Sequence, residues 1–351
     1  MHWNDLPADV LALLRRGTVL PAHPLALDAA RRLDERRQRA LARYYLDAGA
    51  GGLAVGVHAT QFAIRAVGLY EPVLRIAMEE AQTWARRPLV MVAGLSGRTE
   101  QARKEAAIAR GLGYSAAMLS LAPMTGAGVD ELVEHCAAVA REMPLVGFYL
   151  QRAVGGPPLP FEFWRRFAGI DNVVAIKIAP FNRYATLDVL RGVLAAGAEE
   201  RVTLYTGNDD HIVLDLATPF ALRRGDEDVT LRIRGGLLGH WSVWTKRAVE
   251  LFDRIQRAVA ADRVDAALVA LDARVTDSNS AFFDVAHDFA GCIPGCHEVL
   301  RRQGLLEGIW CLDPNETLSP GQAAEIDRVY AAYPELNDDA FVRENLTRWL
   351  A

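Results

Sequence analysis

Eight short apolar runs recur along the chain, mostly about 25 to 35 residues apart, with longer amphipathic stretches between them. They are Thr18–Pro21, Gly52–Gly56, Leu89–Gly94, Ser115–Ser120, Leu145–Tyr149, Val173–Lys177, Val202–Tyr205 and Leu231–Leu238. Strand runs alternating with helical ones build βα units around a parallel sheet, and eight such units predict an α/β protein with a (β/α)8 barrel. The intervening helices carry their own signals. Thr99-Glu-Gln-Ala opens one that closes near Gly111-Leu-Gly113, and Gly128-Val-Asp-Glu opens the next, which ends before Pro144. After the eighth run, apolar residues recur at helical spacing from Thr245, and largely helical sequence continues to the end. The expected organisation is an N-terminal helical segment over 1–16, a barrel over 17–262 and a C-terminal helical region over 263–351. In the first segment, Pro7 opens a helix over Ala8–Arg16 that plugs the barrel's N-terminal mouth.

The 351 residues are 51% hydrophobic, enough for a sizeable core, and the formal net charge of -5 comes from interspersed acids and bases. With no basic stripe, no nucleic-acid partner is expected. No apolar stretch has membrane-spanning length, and acids stand in Met1–Asp9 where a signal peptide carries basic residues, so a cytoplasmic protein without a membrane partner is expected. Four cysteines in such a chain fit reduced thiols. Cys292, Cys296 and His297 lack a second ligand pair, and His58, Asp209, His211 and His240 have no fixed spacing; neither group predicts a metal site, and no cofactor is expected.

The chain holds three lysines against 36 arginines. One of the three, Lys177, sits within the apolar run Asn172-Val-Val-Ala-Ile-Lys-Ile-Ala-Pro180. An ammonium buried there is costly unless paired, so its pKa is expected to fall and leave neutral amine, a nucleophile toward carbonyls. In a barrel the active site lies at the C-terminal ends of the strands. Lys177 is expected to end the sixth strand and Tyr149 the fifth, where phenol and amine meet in the mouth. A tyrosine beside a Schiff-base amine can shuttle protons.

These features resemble the dihydrodipicolinate synthase and N-acetylneuraminate lyase family of class I, Schiff-base aldolases, over about Val19 to Ile326. The resemblance rests on Val146-Gly-Phe-Tyr149 and Asn172-Val-Val-Ala-Ile-Lys177, whose tyrosine and lysine are 28 positions apart as in that family. Further echoes are Gly51-Gly-Leu-Ala-Val-Gly56, Val92-Ala-Gly-Leu-Ser-Gly97, Gly207-Asn-Asp-Asp210 and Pro294–Gly304. It implies an imine between Lys177 and a 2-oxo acid, usually pyruvate, with Tyr149 as proton relay, in a homodimer or homotetramer.

The departures bear on the second substrate. The family's glycine-threonine-threonine-glycine-glutamate loop reads Gly56-Val-His-Ala-Thr60 here, with His58 in place of the second threonine. The amides of Val57 and His58 can still hold a carboxylate, His58 can act as general acid or base, and Thr60 is a further candidate contact. The relay's other tyrosine, after strand four, is missing, and Thr125 is the candidate hydroxyl there. The family's carboxylate-gripping arginine has no aligned counterpart, and Arg152 is the nearest candidate. Beyond strands seven and eight, Asn208, Asp209 and His240 are candidate substrate contacts; Trp241 reads first as packing between barrel and tail, and a pocket for a larger or aromatic acceptor, shaped with His240, is the alternative. The resulting expectation is a class I aldolase or dehydratase acting on a pyruvate-like acid, and not lysine-biosynthetic condensation. The alternative is a ligand-binding barrel that has lost its proton relay.

Overall fold

The computed structural model describes residues 1–351. Eight parallel strands, β1 (Val19–Pro21), β2 (Gly52–Val55), β3 (Val90–Leu95), β4 (Ala116–Leu119), β5 (Leu145–Leu150), β6 (Val173–Ala179), β7 (Thr203–Thr206) and β10 (Ile233–Leu238), pair in the order β1-β10-β7-β6-β5-β4-β3-β2. A single parallel bridge between Ala22 and Ala54 brings the two ends together, with the His23 N–H donating to Ala54 O at 2.8 Å. The ring is a TIM barrel because each strand is buried on both faces, against the helices outside and against its own interior. The inner cluster contains Leu20, Val92, Met118, Val146, Phe148 and Ala175, with the outer faces packed into a larger cluster shared with the helices.

The first helix, α1 (Ala8–Arg16), closes the N-terminal end of the barrel: Leu14 packs into the inner cluster, and the Tyr205 hydroxyl donates to Leu14 O at 2.8 Å. Around the ring run α2 (Glu35–Ala48), α3 (Tyr70–Trp84), α4 (Thr99–Leu112), α5 (Val129–Ala140), α6 (Phe161–Ala168), α7 (Arg183–Ala195), α8 (Ile212–Ala217) and α9 (Thr245–Ala260). The starts at Thr99 and Val129 and the left-handed Gly113 C-cap are those the sequence signals. Four further helices follow: α10 (Ala266–Phe282), α11 (Cys292–Arg302), α12 (Gln322–Ala332) and α13 (Asp339–Trp349). They share the outer core with the barrel through Phe282, Val299, Ile326 and Trp349.

The strand pattern differs from the sequence expectation in two places. Leu231 does not open the eighth barrel strand but ends an unexpected antiparallel hairpin, β8 (Phe220–Arg224) and β9 (Glu227–Leu231), between α8 and β10, and the barrel strand starts only at Ile233. The polar run Arg223-Arg-Gly-Asp-Glu-Asp228 forms its exposed turn, with Gly225 at φ 60°. The sixth strand does not end at Lys177 either, since Ile178 continues its pairing with β5 and β7 and Ala179 its pairing with β5.

Candidate active site

Lys177 points into the barrel from β6, between Ala175 and Ala179, and its side chain is buried at 9% exposure. Its stem passes the neighbouring strand end only because residue 207 is glycine: a Cβ there would stand 2.6 Å from Lys177 Cε and 2.7 Å from Ala179 Cβ. Burial lowers the lysine pKa, and Asp209 and Cys292 oppose that shift through their charge alone, with no hydrogen bond to the amine. The ammonium lies 4.5 Å from the ring centroid of Phe148.

Phe148, not Tyr149, faces the lysine. In the β5–β6 register Phe148 is opposite Lys177 and Tyr149 opposite Ile178, and neighbours in register share a face. Tyr149 therefore points outward onto α6, 5.2 Å from the Trp164 ring centroid, with its hydroxyl accepting the Leu159 N–H at 3.4 Å. The expected meeting of phenol and amine does not occur.

Lys177, Asp209 and His58 line one cavity at the C-terminal end of the barrel, about 730 Å³ including its open mouth. Asp209 is buried, and burial raises its carboxyl pKa strongly, against the lowering by Lys177. Its Oδ1 accepts the His240 N–H at 3.2 Å, and its backbone carbonyl accepts Asn279 Nδ2 at 2.6 Å, so strand seven's loop is tied to the start of the 240 turn and to α10. His58 sits on a one-turn 3-10 helix, His58–Thr60, entered through Gly56 at φ 77°. Desolvation, then the lysine charge, pushes its imidazole down to about 4, so it is neutral at pH 7. Val57 lines the same space.

Several sequence candidates lie elsewhere. Thr60 is fully buried under the loop, its hydroxyl donating to His23 O at 2.7 Å and accepting the Gly56 N–H at 3.0 Å, so it holds the turn and does not reach the cavity. Thr125 is exposed, with its hydroxyl satisfied by Ala122 O at 2.8 Å. Arg152 is exposed and lines a separate outer groove with Tyr149, Tyr184 and Asp188. Asn208 is buried and fully engaged, accepting from Phe181 N at 3.0 Å and donating to Thr186 Oγ1 at 3.2 Å and Asp215 Oδ2 at 2.9 Å. The His240 ring stacks on Phe282, and Trp241 packs over Gly236 and against Phe252; neither ring lines the cavity.

In their place the cavity takes residues that sequence reasoning did not select. Phe148, Leu150 and Gln151 come from β5 and its end, Phe181 from beyond β6, and Phe283, Phe289, Cys292, Ile293, Cys296 and His297 from the α10–α11 connection and α11. Burial raises the Cys292 thiol to about 12 and lowers the His297 imidazole to about 4, so both are neutral at pH 7. No group of three or more His, Cys, Asp or Glu is arranged to hold a metal ion, and no helix is long and apolar enough to cross a membrane.

A closed-end parallel barrel with one buried lysine on the inner face of its sixth strand, under a cavity at the strands' C-terminal end, defines the class of protein. The chain belongs to the dihydrodipicolinate synthetase family, whose profile matches residues 16–218. A dihydrodipicolinate synthase from Oceanobacillus iheyensis superposes with a TM-score of 0.73 at 15% identity, covering 93% of this chain and 100% of its own. YagE, a prophage protein of the dihydrodipicolinic acid synthase family from E. coli K12 in complex with pyruvate, gives 0.72 at 16% identity over 91% and 98% of the two chains. CdNal from Clostridium difficile in complex with mannosamine gives 0.71 at 14% over 90% and 99%. No curated protein matches the chain in sequence.

Proposed function

We propose that the protein is a class I lyase that acts on a pyruvate-like 2-oxo acid through an imine on Lys177. The observation that carries this reading is the amine itself: buried, lowered in pKa, without a hydrogen-bonding partner, and at the base of an open cavity in a barrel of this family. Neutral amine adds to the C2 carbonyl, and the carbinolamine then loses water, which requires a proton at the departing hydroxyl. Asp209 is the group suited to deliver and recover it, because burial favours its protonated form beside the lysine. His58, neutral beside the same amine, is a second proton carrier, and the Val57 and His58 amides receive the acid's carboxylate. Tyr149 has no part in this scheme.

Lysine-biosynthetic condensation is disfavoured, because no arginine lines the cavity to grip a second carboxylate. Incubation with pyruvate and borohydride, followed by peptide mass spectrometry, tests the imine. An adduct on Lys177 supports it, and its absence with several 2-oxo acids overturns it. That a phenyl ring, and not a phenol, faces the amine favours a second reading, a non-catalytic binding barrel. Under that reading, pyruvate binds reversibly and equally well to Lys177→Met.

A further inference from the structure

We infer that the substrate carries an aromatic or similarly apolar group at the carbon that separates from the 2-oxo acid, rather than a polyol chain or a second carboxylate; this rests on the imine reading above. Once Lys177, Asp209 and His58 are assigned to the oxo acid and its protons, the remaining space is walled mainly by Phe148, Leu150, Phe181, Phe283, Phe289 and Ile293. Its other polar side chains are Gln151, two thiols and His297, and both His297 and the Cys292 thiol are neutral. A polyol drawn into that space loses several water hydrogen bonds and finds in exchange only the Gln151 amide, the neutral His297 ring and two weakly bonding thiols, at a cost for each hydroxyl left unpaired. A second carboxylate finds no cation there. An aryl group meets faces and edges of phenylalanine and loses nothing by leaving water.

The backbone supplies an independent observation. Phe181 (φ 50°) and Phe289 (φ 67°) both sit in the left-handed region, where a bulky residue is strained. Their rings meet edge-on at 5.7 Å between the lysine cavity and the outer groove, and both residues line both spaces. The strained turns are held by specific hydrogen bonds: Phe181 N–H to Asn208 Oδ1 and Phe289 N–H to Asp284 O, each 3.0 Å. Glycine or asparagine would hold either turn at lower cost; phenylalanine at both places is accounted for by what the rings enclose.

The corresponding reaction is retro-aldol cleavage of a 4-aryl-4-hydroxy-2-oxobutanoate. In the Lys177 imine, the Asp209 carboxylate takes the C4 hydroxyl proton, the C3–C4 bond breaks, and its electron pair enters the imine to form an enamine while the aryl aldehyde leaves. Asp209 returns the proton to C3, and water releases pyruvate and regenerates the amine.

Three substrates that all release pyruvate provide the test: 4-hydroxy-4-phenyl-2-oxobutanoate, 2-oxo-3-deoxygluconate and 4-hydroxy-2-oxoglutarate. Pyruvate release is followed with lactate dehydrogenase, alongside borohydride trapping of pyruvate. The expected result is a kcat/KM for the phenyl compound at least about tenfold above the other two. Phe289→Ala and the milder Phe289→Leu should narrow that ratio. If pyruvate is trapped on Lys177 but the polyol or the diacid is cleaved as well as the phenyl compound, or none is cleaved, the apolar-substrate inference is overturned while the imine stands. If no pyruvate is trapped, the imine reading falls and this inference with it.

Discussion

Gly207→Ala isolates the positioning of the lysine from its chemistry. The added methyl would sit 2.6 Å from Lys177 Cε and 2.7 Å from Ala179 Cβ, both well inside ordinary contact. The contact with Ala179 Cβ, fixed on β6, can be relieved only by a small backbone shift, while the lysine stem has to retreat by about 0.8 Å to restore contact distance. Its opposite side is bounded by the Phe148 ring, 4.5 Å from the amine, so the retreat shifts the nucleophile and does not merely flex it. Overpacking of this kind costs about 1–3 kcal/mol of stability. A reacting atom displaced by close to 1 Å loses on the order of 10²-fold in rate. The assay is the rate of pyruvate-dependent borohydride incorporation at Lys177, with thermal unfolding measured in parallel. Gly111→Ala serves as the control, since that glycine lies in α4 with nothing within 4 Å of the new Cβ, and alanine there should leave trapping unchanged and raise stability slightly. A Gly207→Ala protein that traps pyruvate at the wild-type rate would refute the claim that this glycine sets the position of the amine.

Lys177→Met should abolish the adduct. In the wild type, the trapping rate should rise with pH as the ammonium loses its proton; because burial lowers this pKa, the inflection must fall below that of a free lysine, and one at or above the free value contradicts the burial argument. Asp209→Asn should still bind pyruvate but lose about 10²- to 10⁴-fold in turnover, whereas Tyr149→Phe, whose hydroxyl meets only the Leu159 amide, should leave the trapping rate at the wild-type level; the reverse pair of results would restore the tyrosine as relay. Asn208→Ala should destabilise the fold by about 1–3 kcal/mol, read as a lowered unfolding temperature, by leaving the Phe181 amide without its acceptor and removing one of the three side-chain donors to Asp215; an unchanged temperature would count against it.

Lys177 was legible in the sequence because a cation inside a β-branched run has few affordable explanations, and the barrel was legible because a βα period repeated eight times admits little else. The partner of the lysine was misread for a local reason. Counted from their strand starts, Tyr149 and Lys177 are both fifth residues and therefore look matched. The register, however, shifts between Leu145, opposite Val173, and Val146, opposite Ala175, so β6 carries one extra residue and Lys177 falls opposite Phe148. A one-residue slip turns every later side chain to the other face, which is enough to exchange a phenol for a phenyl beside the amine. Nothing in either strand's composition announces the bulge; it is set by pairing between segments 28 residues apart.

The polar residues after the strands misled in a different way. Thr60, Asn208 and Thr125 have the chemistry of ligand contacts, but each hydroxyl or amide is already spent on nearby protein groups. A threonine or asparagine that pins a loop reads the same in sequence as one that binds a substrate. The cavity's apolar wall was hidden by distance along the chain. Phe283, Phe289 and Ile293 follow α10, more than a hundred residues beyond Lys177, and only the folding of α11 back over the strand ends brings them to it. That placement makes the α10–α11 connection and α11 part of the cavity wall. Replacing the wall they provide should therefore alter which acid is cleaved, whereas replacing the residues that β6 and β7 place at the amine should alter whether an imine forms at all.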